Sequence, residues 1–208
     1  MVRLTQSEKD ELERAVADAE TRTSAEIVFC VADVCDDYRV YTLPYAALFG
    51  FLVLGGLALV MPDLHVRTAF MATGVATVLA ALVLQWQPLR LRTVPRAARD
   101  AAAERFAHME FAALVAGRTA AANGLLIFVA LAEHHAEIVP EPGLAARIPQ
   151  AAWQKIMDDL TGELAAGRTA AGLKAAITAC GEVAASVFPP AAGDPNELPN
   201  AAQTARSR

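Results

Sequence analysis

The chain has 208 residues, of which 55% are hydrophobic and 20% are charged, and its formal net charge at pH 7 is −5. This charge gives no support for nucleic-acid binding, which depends on an excess of Lys and Arg. Three cysteines, Cys30, Cys35 and Cys180, form neither a CxxC pair nor a disulfide framework. We therefore expect free thiols in a reducing compartment.

The first forty residues predict one helix and one strand. Thr5 to Glu8 form a capping-box pattern, in which a hydroxyl and a carboxylate satisfy each other's backbone amides at the start of a helix. A stripe of apolar residues at helical spacing follows and ends at Ala19. Residues 25–32 are almost continuously apolar and β-branched, which is typical of a strand that is covered on both faces.

Two long apolar runs, residues 41–61 and 68–87, follow with a short polar turn between them, and neither contains a charged side chain. Roughly 20 apolar residues in a helix cross the ~30 Å hydrocarbon core of a bilayer. We interpret residues 41–88 as a transmembrane helical hairpin. The alternative is a buried hairpin in a soluble protein, although helices of that kind are usually shorter and carry a polar stripe.

The distribution of arginines predicts the orientation of the hairpin. Only Arg67 lies in the turn between the two runs, whereas five arginines flank the hairpin: Arg39, Arg90, Arg92, Arg96 and Arg99. The positive-inside rule then predicts a multi-pass protein of the inner (cytoplasmic) membrane with both termini in the cytoplasm. The flanking arginines also suit anionic lipid headgroups. Since the opening residues show no signal-peptide pattern, we expect the first span to act as the insertion signal.

The chain after the hairpin predicts the rest of a small sandwich. Pro95 is suited to the first turn of a long helix. Asn123 and Gly124 form a turn into a second apolar strand, which should lie parallel to the first because a helical crossover joins them. The third strand, residues 136–139, follows too closely for a crossover and should be antiparallel.

Two amphipathic helices end the predicted fold, with apolar stripes that begin at Trp153 and Leu173. We therefore expect an α/β fold, a three-layer α/β/α sandwich with a mixed sheet, built from residues 1–40 and 89–188 and interrupted by the transmembrane hairpin. Residues 189–208 are rich in proline and small polar residues, and we expect a disordered tail there.

The order of these elements resembles the TPM domain family. Ser24-Ala25-Glu26-Ile27 is similar to the family's entry into the first strand, and Asn123 to Ile127 is similar to its Asn-Gly-Val-Leu-Ile strand. Glu141-Pro142-Gly143 stands where the family usually has Asp-x-Gly, so a longer acidic side chain replaces the usual one. Within the family, the chain resembles the bacterial branch that has two spans after the first strand.

The resemblance implies a small α/β/α sandwich and two kinds of function. Some family members are reported to bind calcium and to show weak acid phosphatase activity, whereas others act as assembly or repair factors. Which of the two applies to this chain depends on its candidate sites.

Two groups of acidic residues are candidate sites. The first lies where the parallel strands end and consists of Asp33, Asp36, Asp37 and Glu133. Their carboxylates suit calcium or magnesium, which prefer oxygen ligands, but a solvated acidic rim is the alternative. The second group, Glu26 and Glu141, is expected at the opposite edge of the sheet, with either a ligand-binding or a structural role.

Two functional hypotheses follow. The first is a non-enzymatic accessory or interaction module that sits in the lipid bilayer and binds another membrane protein or a second copy of itself. The alternative is a divalent-metal-dependent hydrolase of the acid phosphatase kind. No HExxH, P-loop or GxGxxG motif is present to favour an enzyme, and we favour the first hypothesis.

Overall fold

The structure is a computed structural model that describes residues 4–190, 197–198, 200 and 203–205. Its chain divides into two units. One runs up to Cys35 and resumes at Asp100, and the other is Asp36–Arg99.

The first unit is built on a mixed sheet of four strands: β1 (Glu26–Ala32), β2 (Gly124–Ala130), β3 (His135–Pro140) and β4 (Gln203–Ala205). The strand order is β3-β2-β1-β4. Strand β1 is parallel to both β2 and β4, whereas β3 is antiparallel to β2. The predicted mixed sheet is therefore confirmed, with β4 as an addition that the sequence did not predict.

The helices of the described residues are α1 (Gln6–Glu20), α2 (Arg39–Val60), α3 (Val66–Leu84), α4 (Gln87–Thr93), α5 (Arg96–Leu114), α6 (Pro142–Ala145), α7 (Gln150–Ala165) and α8 (Thr169–Ala185). Helix α1 begins as the capping box predicts. The Glu8 amide donates to Thr5 Oγ1 at 3.3 Å, and the Thr5 amide donates to Glu8 Oε2 at 2.7 Å.

Helices cover both faces of the sheet, and all residues of β1 and β2 are buried. Alternate side chains of each strand point to opposite faces. Phe29 and Ile127 pack in a core with α1, α7 and α8, whereas Cys30 and Phe128 pack in a second core with α5. The predicted three-layer α/β/α sandwich is therefore confirmed. Its continuous apolar strands reflect burial on both faces.

The second unit contains the two long apolar helices. Helices α2 and α3 pack against each other at Gly50, where a Cβ atom would overlap the Thr77 hydroxyl. Their bounds, Arg39–Val60 and Val66–Leu84, lie within a few residues of the two apolar runs of the sequence. Helix α4 follows α3 and was not predicted.

Both apolar helices are long and apolar enough to cross a membrane. The buried share of the most apolar stretch is 11% in α2 and 0% in α3. Large side chains on both helices are exposed, such as Phe51 at 72% and Phe70 at 75%. Exposed apolar surface of this extent suggests membrane association rather than the buried hairpin of a soluble protein.

The C-terminal residues differ from the prediction. Of the predicted disordered tail, residues 189–208, the structure places Leu198 in the core beside α5 at 3% exposure and pairs β4 with β1. Disorder is therefore the wrong prediction for these residues. Residues 191–196, 199, 201–202 and 206–208 lie outside the described part of the chain.

All three cysteines, Cys30, Cys35 and Cys180, are buried. Burial raises the pKa of the Cys180 thiol to about 12. Because the thiolate is the reactive form, Cys180 is chemically inert at neutral pH.

Candidate functional site

Three buried or half-buried glutamates lie at the edge of the sheet where β1 and β2 begin and β3 ends. We call Glu20, Glu26 and Glu141 the acidic edge. Glu26 is the first residue of β1 and pairs with Gly124, the first residue of β2. Glu141 directly follows β3, and its amide donates to the Gly124 carbonyl at 2.8 Å. The structure thus places Glu26 and Glu141 at one edge, as the sequence predicted.

Glu141 is 3% exposed and accepts three hydrogen bonds from the chain. Its Oε1 atom accepts from the Gly117 amide at 2.9 Å. Its Oε2 atom accepts from the Gly124 amide at 2.9 Å and from the Thr119 hydroxyl. These hydrogen bonds offset the cost of burying the carboxylate. They also connect the loop after α5 to β2 and β3.

Two glycines make this arrangement sterically possible. A Cβ atom at Gly124 would lie 2.6 Å from Val115 Cγ1 and 3.0 Å from Glu141 Oε2. A Cβ atom at Gly143 would overlap the carbonyl oxygen of Ala122, to which the Gly143 amide donates at 2.9 Å. The glycines of the Asn-Gly and Glu-Pro-Gly motifs therefore allow the close approach of backbone to backbone and to the carboxylate.

Asn123 connects the beginnings of the two parallel strands. It is 4% exposed, and its side-chain amide donates to the Ser24 carbonyl just before β1. Its backbone amide donates to Thr119 Oγ1 at 3.1 Å. Since Thr119 also donates to Glu141, one hydrogen-bond network joins the ends of β1, β2 and β3.

Glu26 is 6% exposed and binds the C-terminal residues of the chain. Its two carboxylate oxygens accept from the amides of Glu197 and Leu198, each at 3.1 Å. Two successive backbone amides thus converge on one buried carboxylate. Sequence reasoning singled out Glu26 but did not predict its partners, because nothing in the pattern of residues 189–208 connects them to β1.

Glu20, at the end of α1, was missed by sequence reasoning. Its Oε1 atom accepts from the Ile27 amide at 3.0 Å, and its Oε2 atom accepts from the Asn200 side chain at 2.7 Å. Burial, and to a smaller extent repulsion by Glu26, raises the pKa of Glu20 to about 7, although the Ile27 amide and Asn200 act in the opposite direction. A possible signal was its position in the last helical turn, where the helix dipole disfavours an anion.

The raised pKa of Glu20 predicts a pH-dependent stability. A carboxyl whose pKa is about 7 in the folded state and 4.5 otherwise contributes stability that is complete below pH 4.5 and is lost as the pH rises through about 7. We therefore compare the free energy of unfolding of Glu20→Gln with that of wild type at each pH. The difference should favour the variant by about 1–2 kcal/mol more at pH 8 than at pH 5, after allowance for partial solvent screening.

Thermal unfolding of the full chain in detergent micelles at both pH values would check this difference. Exposed Glu104, in α5, provides the control, because Glu104→Gln should shift the unfolding temperature equally at both pH values. An equal shift for Glu20→Gln and Glu104→Gln would contradict the assignment of the pH dependence to Glu20.

At the opposite end of the strands, the predicted acidic residues bind neighbouring backbone. Glu133 is 3% exposed and accepts from the Cys35 amide at 2.9 Å. In the second unit, Asp36 accepts from the Tyr38 amide at 3.3 Å, and Asp37 accepts from the Arg39 amide at 3.1 Å and pairs with its guanidinium at 3.2 Å. Asp36 and Asp37 thus satisfy amides at the start of α2.

Asp33, the remaining member of that group, is half-buried just after β1. Within the described part of the chain, no group of three or more His, Cys, Asp or Glu side chains is arranged to hold a metal ion. A calcium or magnesium site formed by Asp33, Asp36, Asp37 and Glu133 therefore stays a prediction.

The five flanking arginines all belong to the second unit. Arg39 begins α2 and its side chain is 80% exposed. Arg90 and Arg92 lie in the last turn of α4, where their charge is favourable to the helix dipole, and Arg96 and Arg99 lie in the first turn of α5. Positive charge is thus concentrated next to the two apolar helices.

These features define an α/β/α sandwich whose chain is interrupted after its first strand by two apolar helices. Residues 87–183 match the model of the TPM domain. The resemblance to the TPM family is therefore confirmed, whereas membership of the bacterial branch with two spans stays a prediction. No curated protein matches the chain.

Among solved structures, the chain is similar to the BA42 protein from the psychrophilic bacterium Bizionia argentinensis. The two share 18% sequence identity and a TM-score of 0.62, over 97% of this chain and 95% of that chain. At this level of identity the similarity concerns the fold alone.

Proposed function

We propose that this chain is an integral protein of the inner membrane whose TPM domain acts as a non-enzymatic interaction module for another membrane protein. The observation that carries the proposal is the pair of exposed apolar helices inserted into an otherwise well-packed sandwich. Exposure of such a large apolar surface to water is unfavourable in a soluble enzyme, whereas a membrane-bound module needs this surface for anchoring.

The acidic residues support a structural role better than a catalytic one. Glu141 accepts three hydrogen bonds from its own chain, and Glu26 accepts two. A general acid or base needs an open path to substrate, but both of these carboxylates are less than a tenth exposed. The metal-dependent hydrolase hypothesis receives no corresponding support from the described carboxylates.

The arginines support an orientation with both parts of the TPM domain in the cytoplasm. Arg39 and the group from Arg90 to Arg99 flank the apolar helices on their common side, and only Arg67 lies near the turn. Each Lys or Arg beside an anionic membrane surface contributes about 1 kcal/mol of attraction. The same arginines therefore favour both this topology and contact with anionic headgroups.

In-cell crosslinking tests the proposed interaction. A photoreactive amino acid at exposed Met109 of α5 or exposed Leu79 of α3 should capture a defined membrane protein or a second copy of the chain. The matched control places the same amino acid at Phe128, which is fully buried and should capture no partner. The absence of any specific protein adduct from the exposed positions would contradict the proposal.

A further inference from the structure

The described C-terminal residues occupy the edge of β1 that faces away from β2. We call residues 197, 198, 200 and 203–205 the C-terminal segment. It lies across the acidic edge and then runs parallel to β1 as β4. Three features of the first unit hold it, and each recognises a different property of an extended peptide.

The first feature is Glu26, which recognises backbone. Its carboxylate accepts the successive amides of Glu197 and Leu198, each at 3.1 Å. Charge-assisted hydrogen bonds of this kind require only two adjacent N–H groups and do not depend on the identity of the side chains. Any extended segment that presents a pair of amides in this geometry satisfies the same contact.

The second feature is an apolar site that recognises one side chain. Leu198 is 3% exposed and packs in the core that contains Val28, Phe106 and Phe128. Because the contact lies next to the Glu26 contact, the position of the leucine fixes the register of the segment. A charged side chain at this position would be buried without a partner and would be strongly disfavoured.

The third feature is the strand edge itself. Among the described residues, β4 pairs with Cys30, Val31 and Ala32, three of the seven residues of β1. An edge strand presents backbone donors and acceptors to any added strand, and short pairings are the weakest kind. Within the described residues this strand pairing is short, and it offsets only part of the conformational entropy that is lost when the segment is ordered.

We propose that the C-terminal segment is a displaceable internal ligand, and that the edge of β1 with Glu26 and the Leu198 site binds an extended segment of a partner protein by strand addition. The partner segment runs parallel to β1 and carries a leucine-like side chain that replaces Leu198. This inference rests on the proposed function, because it names the surface through which the interaction module binds. While the internal segment is bound, the surface is closed.

A peptide-binding experiment on the full chain in detergent micelles tests the proposal. A fluorescent peptide with the sequence of residues 195–207 should bind the Leu198→Asp chain, whose own segment no longer fits. It should bind the wild-type chain at least tenfold more weakly, because a tethered segment competes at an effective concentration of about 1 mM. The same peptide with Leu198→Asp should bind neither chain.

Met109→Asp provides the matched chain control, since it places the same charge at an exposed apolar position elsewhere and should behave as wild type. Failure of the folded Leu198→Asp chain to bind the peptide would overturn the proposal. A wild-type dimer that the peptide dissociates would also overturn it, because the segment would then act between two copies rather than within one.

Hydrogen exchange of the wild-type chain tests the same proposal without a variant. Amides of the C-terminal segment should exchange at least tenfold faster than those of β2, because release of the segment leaves the central strands paired. Equal protection of both would show that the segment is not displaceable. Neither result depends on the crosslinking experiment. The proposal of peptide binding at the edge of β1 can therefore be wrong while the proposed function is right, and the reverse.

Discussion

Replacing Glu141 with alanine is expected to lower the free energy of unfolding of the TPM domain by about 3–5 kcal/mol. The carboxylate accepts from the Gly117 and Gly124 amides and from the Thr119 hydroxyl, in a position that is 3% exposed. Alanine would leave these donors without their acceptor inside the protein. Most of the expected loss is the cost of keeping them desolvated.

Trp153 fluorescence provides the measurement, because this side chain of α7 is 4% exposed and packs in the core. The other tryptophan, Trp86, should be replaced by phenylalanine so that Trp153 alone reports unfolding. Glu141→Gln should cost less, since the amide oxygen still accepts hydrogen bonds, and exposed Glu104→Ala should change stability by less than about 0.5 kcal/mol. A Glu141→Ala effect as small as that of Glu104→Ala would contradict the role assigned to the network.

The second large effect is expected in the membrane. Val75 and Leu79 lie in α3 and are 58% and 57% exposed. Replacing both with arginine should disfavour insertion of α3 by about 5–7 kcal/mol on the scale for charged residues at a helix centre. Helix α2 would then cross the membrane alone, so that the C-terminus should move to the opposite side.

Protease protection of a C-terminal tag in membrane vesicles would show this change of side. The matched control is the double alanine variant at the same positions, which keeps α3 apolar and should keep the wild-type location. If the C-terminal tag of the double arginine variant also stays on the wild-type side of the membrane, α3 does not span the bilayer as an independent helix.

The elements that could be predicted from the sequence are those whose residues carry a local pattern. The apolar runs of β1 and β2 indicate strands buried on both faces, and the capping box at Thr5 indicates the start of α1. Likewise, the two uncharged runs indicate α2 and α3 because burial in lipid or protein requires apolar side chains along their whole length. In each case, the information lies within a few residues of the element.

The parts that could not be predicted depend on contacts between distant residues. Strand β4 is only three residues long and its sequence, Gln-Thr-Ala, has no strand pattern, so its order comes from pairing with β1 and from the Glu26 contact nearby. Glu20 gained its raised pKa from burial, which no local pattern shows.

The candidate acidic site illustrates the same limit. The sequence predicted that Glu26 and Glu141 would meet at one edge, and connectivity alone was enough for this. It did not predict that backbone amides would be their partners. Without those partners, two neighbouring acidic side chains suit a metal site and a structural network equally well.

Cysteine labelling from each side of the membrane tests the central claim most directly. The three natural cysteines are buried, so a membrane-impermeant maleimide should react mainly with an introduced thiol. In inner-membrane vesicles of known orientation, Asp63→Cys in the turn should react only from the periplasmic side, and Met109→Cys in the TPM domain only from the cytoplasmic side. Reaction of both from the same side, or release of the wild-type chain from membranes by carbonate, would contradict a membrane hairpin inserted into a cytoplasmic TPM domain.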